Sequence, residues 1–432
     1  FEVLKDLGQA ACKYRASVYK NESFSHKVTI TLTSVQEVLV NALTVIDHSI
    51  NNNVKDDGLF HSYNLLVLGD NKAAIKPLYP MLEGQVAALS STAITPEKAV
   101  EVIEALYASD IFRPDLDTFM LYPDKNQISF LDKNIVPTEQ VNQIPVLIDM
   151  LKHNEHSIVT QDVNGHYRFN ANLKNNSDLS AQLATLSAYY PELMQATKAQ
   201  IESLYEDVFN HQAFSGRSGG MFGFEGLGCV YWHMVSKLLL VVQEHFTQAA
   251  NNNAQPALIK RLGDLYYRIR QGIGFNKTPQ QYGAFPCDPY SHTPKHSGAQ
   301  QPGMTGQVKE EILTRFGELG IEVEQGKVRF APRLLRKQEF TEFARTFRYL
   351  DVSDQWQALS LPANCVAFTW CQVPVVYELT EGDPILNTEL AGGEQIKGDG
   401  VELDIMLSHE LFTRSGKIRS IRVLINSSYL FD

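Results

Sequence analysis

The period of the apolar pattern changes near residue 335, and this switch sets the architecture. Before it, apolar side chains recur at helical spacing; after it they alternate or run in short β-rich blocks. Within 35–50, Val38, Val40, Leu43, Val45 and Ile46 predict a helix. Thr95-Pro96-Glu97 opens another, with Thr95 as N-cap and Pro96 at the first helical position. Further helices are expected at 139–153, 178–188, 191–213, 226–247, 255–271 and 305–319. Past the switch, strands are expected over 365–371, 373–379, 394–400, 401–407 and 418–424, with turns at Gly392-Gly393 and Gly398-Asp399-Gly400. The expected fold class is mainly α: a helical domain over 1–335, then a small C-terminal antiparallel β-sandwich over 336–432.

A chain of 432 residues is too long for one small core. Its formal net charge of -11 leaves no basic excess to neutralise phosphates, which argues against nucleic acid as a partner. The longest strongly apolar run, Met234 to Val242, contains Ser236 and Lys237 and is far short of the roughly 20 residues that span a bilayer, so no membrane partner is expected. The five cysteines are odd in number and irregularly spaced, without a CxxC pair. That pattern predicts neither a disulfide framework nor a zinc site, and a cytoplasmic setting fits it. No signal peptide is read. The chain opens without an initiator Met on residues that look like the middle of a helix, so an N-terminal portion of the same protein is expected to be missing here.

Four stretches carry chemistry. Lys55-Asp-Asp-Gly-Leu-Phe-His-Ser-Tyr-Asn64 places Asp56, Asp57, His61 and Tyr63 within one short segment. Adjacent Asp residues before Gly often form only a solvated turn. The functional alternative is a general acid whose pKa is raised, flanked by the aromatics Phe60 and Tyr63. In Leu78–Gln85, Glu83 interrupts an apolar stretch, and it is either a ligand for substrate or a carboxylate serving a helix end.

Gly216–Gly228 holds six glycines in thirteen residues before a long apolar helix. Arg217, Gly219 and Gly220 could hold an anion there, helped by free N–H groups and the helix dipole. Glu225 stands at the helix start, followed by Tyr231, Trp232 and His233; the alternative is a packing turn with Glu225 as a helix-terminal charge. The loop Tyr282–Gly306 combines Asp288, Tyr290, His292, His296, Gln300, Gln301 and Thr305, held by four prolines. Loops beyond about 12–15 residues are uncommon in compact domains unless functional. Thr305-Gly306 then opens a helix and offers a second anion cradle. His292 and His296 find no convincingly spaced third ligand, so no metal is expected.

Ser218-Gly-Gly-Met-Phe, the apolar helix, Asp288-Pro-Tyr290, Thr305-Gly306 and Gly320-Ile-x-Val-x-x-Gly-x-Val-x-Phe-x-Pro332 occur in that order. This order is similar to the C-terminal half of the inverting phosphorylases of glycoside hydrolase family 94, the cellobiose and chitobiose phosphorylase group, and most of all to its 1,2-β-oligoglucan phosphorylases. The resemblance implies an (α/α)6 toroid with a C-terminal β-sandwich. It implies Asp57, or Asp56, as general acid. It also implies an inorganic phosphate pocket built from Arg217, Gly219, Gly220, His292, Thr305 and Gly306. Substrate contacts fall to His61, Tyr63, Glu83, Trp232, Asp288, Tyr290 and Gln301.

The position of the family's phosphate-contacting His falls at Phe224 here, beside Glu225. A carboxylate there repels phosphate and could activate water instead. That departure favours hydrolysis, while the resemblance as a whole implies inverting phosphorolysis of a β-linked glucan or oligosaccharide to a sugar 1-phosphate, which is the expected activity. Two alternatives stay open: an inverting hydrolase with Glu225 as base, and a non-catalytic carbohydrate-binding helical subunit. No cofactor is expected beyond phosphate as co-substrate, and a homodimer is compatible with the sequence.

Overall fold

A computed structural model of the chain describes residues 2–20, 27–69, 72–123, 129–191, 195–209, 230–275, 292–293 and 307–431. The described residues form three separate large hydrophobic cores. The first is helical. Trp232–Asn251 runs through it, with Trp232, Val235, Leu238, Leu239 and Val242 among its buried side chains. A helix apolar on most sides must be wrapped, and this one packs against Leu82–Leu89, Pro96–Tyr107, Pro256–Arg270 and Gln307–Glu318. Thr95 caps Pro96–Tyr107 by accepting from the Lys98 N–H at 3.3 Å, as its sequence predicts. A closed ring of six helix pairs is not shown among the described residues.

The second core is a lobe within the stretch expected to be one helical domain. Thr138–Asn142, Pro145–Lys152, Asn176–Leu186 and Gln195–Phe209 gather around the hairpin Val159–Gln161/Tyr167–Phe169. None of its core residues belongs to the first core. Buried Asn134 closes the lobe, donating to Phe169 O and accepting from Phe169 N, both at 2.8 Å. The single helix expected at 139–153 is two helices. Pro145 forces Ile144 out of helical geometry (φ -119°, ψ 85°), so the chain breaks there and restarts with Pro145 at the first turn.

The third core lies under a five-stranded sheet: β1 Cys365–Trp370, β2 Val373–Thr380, β3 Ile385–Leu390, β4 Gln395–Asp399 and β5 Ile418–Asn426. Its order is β1-β2-β5-β3-β4. The expected sandwich was wholly antiparallel, but β2 and β5 pair in parallel, so this sheet is mixed. The strand expected over 401–407 is also corrected. Asp404 accepts from Met406 N and Leu407 N, both at 2.8 Å, and starts the helix Ile405–Phe412. Asp is a strong N-cap, and that local preference overrides the apolar run around it.

Two further features were not expected. Asn64–Gly69 and Lys72–Pro77 form an antiparallel hairpin where the sequence pattern indicated loop. The helices Glu2–Lys20 and Leu32–Asn51 bury no residue. No helix among the described residues is long and apolar enough to cross a membrane.

Candidate functional site

The Asp-Asp-Gly segment is a turn anchored on the first core. Lys55 N bonds Leu59 O at 2.7 Å and Gly58 N bonds Lys55 O at 3.0 Å, while Gly58 takes φ +82°, which glycine adopts at little cost. Leu59 and Phe60 are buried beneath it, so Phe60 anchors the turn and offers no stacking face. Buried Gln85 clamps the segment from the neighbouring helix. Its amide accepts from Phe60 N and donates to Phe60 O, both at 2.8 Å, and it also donates to Met81 O at 3.1 Å.

Leucine at residue 85 would leave the Phe60 N–H and C=O buried without partners, each costing about 1–3 kcal/mol. Gln85→Leu is therefore expected to destabilise the protein by on the order of 3 kcal/mol. The loss would be read as a lowered denaturant midpoint. An unchanged midpoint would show that the clamp contributes nothing.

Asp57 projects from this turn with its side chain 52% exposed. Oδ2 lies 2.5 Å from Lys55 Nζ, and Oδ1 accepts from Leu59 N at 3.1 Å. Partial burial pushes its pKa up. The Lys55 hydrogen bond, the Leu59 amide and the Lys55 charge outweigh that, so the carboxyl sits below its ordinary value. This is the reverse of the raised pKa expected for a resting general acid. Asp56 is exposed beside it.

The remaining polar residues of the segment turn toward the Leu78–Gln85 stretch. His61 Nδ1 lies 3.0 Å from Leu78 O. That carbonyl can only accept, so Nδ1 carries the proton and Nε2 is left as the basic atom. Tyr63 OH donates to Glu83 at 2.9 Å. Glu83 thus binds a phenol from the first stretch, an arrangement neither sequence alternative anticipated. Gly84 makes the approach feasible, because a Cβ there would lie 2.1 Å from Ser62 Oγ.

Tyr63 and Tyr79 also pack on the buried cluster of Met81, Leu121 and Tyr122, as does Tyr231 from the start of the long helix. Tyr231 OH lies 3.4 Å from His233 Nδ1, and His233 Nε2 lies 3.3 Å from Glu310 of the helix Gln307–Glu318. The Glu310 side chain is only 5% exposed. Val230 and Tyr231 pair with Thr293 and His292 in a short antiparallel ladder, so the backbone of His292 and Thr293 lies beside this cluster.

The structure therefore brings together the Asp57 segment, Glu83, Tyr231, His233 and the backbone of His292. Tyrosines edged by carboxylates and imidazoles provide apolar faces for sugar rings and acceptors for sugar hydroxyls. Trp232 is not part of that surface. It is 0% exposed and packs in the helical core, which corrects its expected role as a sugar contact. Arg217, Gly219, Gly220, Phe224, Glu225, Asp288, Tyr290, Gln301, Thr305 and Gly306 lie outside the described residues.

Tyr79, Tyr122, Glu310 and the clamp Gln85 were not selected from sequence. Tyr79-Pro80 beside Glu83 was a usable signal. Glu310 and Gln85 act through partners distant in the chain and had none. No group of three or more His, Cys, Asp or Glu suited to a metal occurs among the described residues.

Residues 127–212, which contain the whole second core, match the family profile described as GH149 phosphorylase insertion domain 2. The match relates the chain to a glycoside phosphorylase family. It supports neither family 94 specifically nor the 1,2-β-oligoglucan type. No curated protein matches the chain.

Proposed function

We propose, taking the phosphorylase match over 127–212 as the premise, that the chain carries the catalytic region of an inverting glycoside phosphorylase acting on a β-linked glucan or oligosaccharide. That match is the observation on which the proposal rests. The tyrosine, His and carboxylate surface around Tyr63, Glu83, Tyr231 and His233 supports it as a place for sugar rings. Asp57 is the general acid that protonates the glycosidic oxygen. Its low resting pKa follows from Lys55 and the Leu59 amide, and a sugar covering the exposed carboxylate would add to its desolvation and raise the pKa.

Phosphate attacks the anomeric carbon from the opposite face and leaves as the sugar 1-phosphate. Arg217, Gly219, Gly220, His292, Thr305 and Gly306 are the proposed phosphate ligands. Asp288, Tyr290 and Gln301 join His61, Tyr63 and Glu83 around the sugars. No cofactor beyond phosphate is needed for this chemistry.

The test is incubation of the full-length protein with β-1,2-, β-1,3- and β-1,4-gluco-oligosaccharides, with and without phosphate. A sugar 1-phosphate of inverted anomeric configuration is expected from at least one linkage. Its absence from all three sinks the proposal, and sugar release without phosphate would point to a hydrolase with Glu225 as base.

A further inference from the structure

The helical core and the C-terminal domain meet around a cavity of about 470 Å³. The end of Pro256–Arg270 supplies Tyr267 and Arg270, Gln271 follows it, the helix Gln307–Glu318 supplies Arg315, and the 3-10 turn Lys337–Glu339 and the residue before it supply Arg336, Gln338 and Glu339. Two of the three arginines are committed. Arg270 Nε lies 2.9 Å from Glu318, and Arg315 lies 2.7 Å from Glu318 and 2.7 Å from Glu339. Glu318 is 1% exposed and also accepts from Tyr266 OH at 2.6 Å, so its charge is consumed in holding these groups.

Arg336 differs. Its guanidinium carbon stands 3.4 Å from the centroid of the Tyr267 ring, and its guanidinium N–H donors make no hydrogen bond or ion pair to any described residue. Tyr267 is itself fixed, since its ring is buried and its hydroxyl donates to Leu334 O. The fork is thus held by its face with its edges unused, the geometry that binds phosphate oxygens in pairs. Lys337 follows it, lining an adjoining groove that shares Tyr267, Gln271, Arg336 and Gln338. The cavity's three arginines against Glu318 and Glu339 leave a local excess of one positive charge, and Lys337 makes it two, on a chain of net charge -11. The Gln271 and Gln338 side chains line the same space and make no hydrogen bonds to described residues, which suits a hydroxyl-bearing body.

We propose that this cavity binds a phosphate monoester of sugar size. It is distinct from the tyrosine cluster. Glu310, which faces His233, and Glu318, which faces the cavity, are eight residues apart on one helix and so about 12 Å apart along its axis. A ligand at Arg336 would therefore sit at the opposite end of a helix whose other end reaches the candidate catalytic site.

Isothermal titration of the full-length protein with glucose 6-phosphate and ribose 5-phosphate tests this without relying on turnover. Saturable binding of at least one ester is expected in the native protein and equally in Asp57→Asn. It should weaken at least tenfold in Arg336→Gln. Because Arg336→Gln also removes a stacking contact, Lys337→Gln with Gln338→Ala is the companion variant. Both residues are exposed, and a several-fold loss is expected at unchanged melting temperature. The proposal is overturned if neither ester binds, if both variants bind like the native protein, or if inorganic phosphate binds as tightly at the Arg336-dependent site.

Discussion

Asp57→Asn is expected to lower kcat for phosphorolysis by about 10²–10⁴-fold, the usual contribution of a general acid, while leaving the fold intact. The two halves of this expectation come from different observations. Asp57 is 52% exposed and, among the described residues, is paired with its neighbour Lys55 and the Leu59 amide. An exposed pair of this kind contributes roughly 0–1 kcal/mol to stability. Asn keeps an oxygen that can accept from Leu59 N, so the turn should persist. What Asn cannot do is give up a proton to a leaving sugar.

Asp56→Asn provides the comparison. If Asp57 is the acid, the neighbouring substitution should change kcat only several-fold. Equal losses in both variants would mean that the turn, and not one carboxyl, sets the rate. Lys55→Met gives an independent check. Without the ammonium the Asp57 pKa moves up toward its ordinary range, because the two lowering effects of Lys55 are lost. The alkaline limb of the pH profile of kcat/KM, where the acid of the free enzyme loses its proton, should then shift to higher pH. No shift would separate Lys55 from the acid's protonation.

Local rules carried part of the architecture, and tertiary contacts carried the rest. Thr95-Pro96 predicted its helix start, because the cap is made between residues three apart. The alternation in β5 placed Ile421, Val423 and Ile425 on the buried face. The register shift between Glu389 and Leu390 of the partner strand β3 lets Ile418 be buried as well, out of step with the others. The lobe around Leu147, Leu183 and Tyr205 was hidden for the opposite reason. Its helices look like any others in the sequence, and only their pairing shows that they close a core of their own.

The same contrast holds at the candidate site. The residue types of the Asp57 segment are visible in order, but their environment is not. Gln85 lies twenty-five residues from Phe60, and Glu310 seventy-seven from His233. Trp232 is the instructive failure. An aromatic next to Tyr231 and His233 resembles a sugar platform in one dimension. The chain turns from the extended Val230–Tyr231 into the helix at Trp232, which leaves Tyr231 and His233 partly exposed and carries Trp232 into the core.

Gly320→Ala is expected to be the most destabilising of these substitutions, by on the order of 3–5 kcal/mol. Gly320 follows the helix Gln307–Glu318 and leads into Ile321–Glu324, at φ +69°. A Cβ there would stand 2.1 Å from the carbonyl carbon of Ala331, 2.2 Å from its oxygen and 2.3 Å from Pro332 N. All three are backbone atoms, so no side-chain rotation relieves the clash. The chain also cannot move apart cheaply, because Ala331 N donates to Gly320 O at 2.7 Å, and Leu319 O accepts the buried Tyr377 hydroxyl. Gly400 separates the two costs. It has φ +83°, and a Cβ added there would meet nothing within 4 Å, so Gly400→Ala meets only the backbone penalty of about 1 kcal/mol. Denaturant melts of the two variants should differ by the contact alone. Equal midpoints would show that the Gly320–Ala331 approach is not needed to join the helical and C-terminal cores.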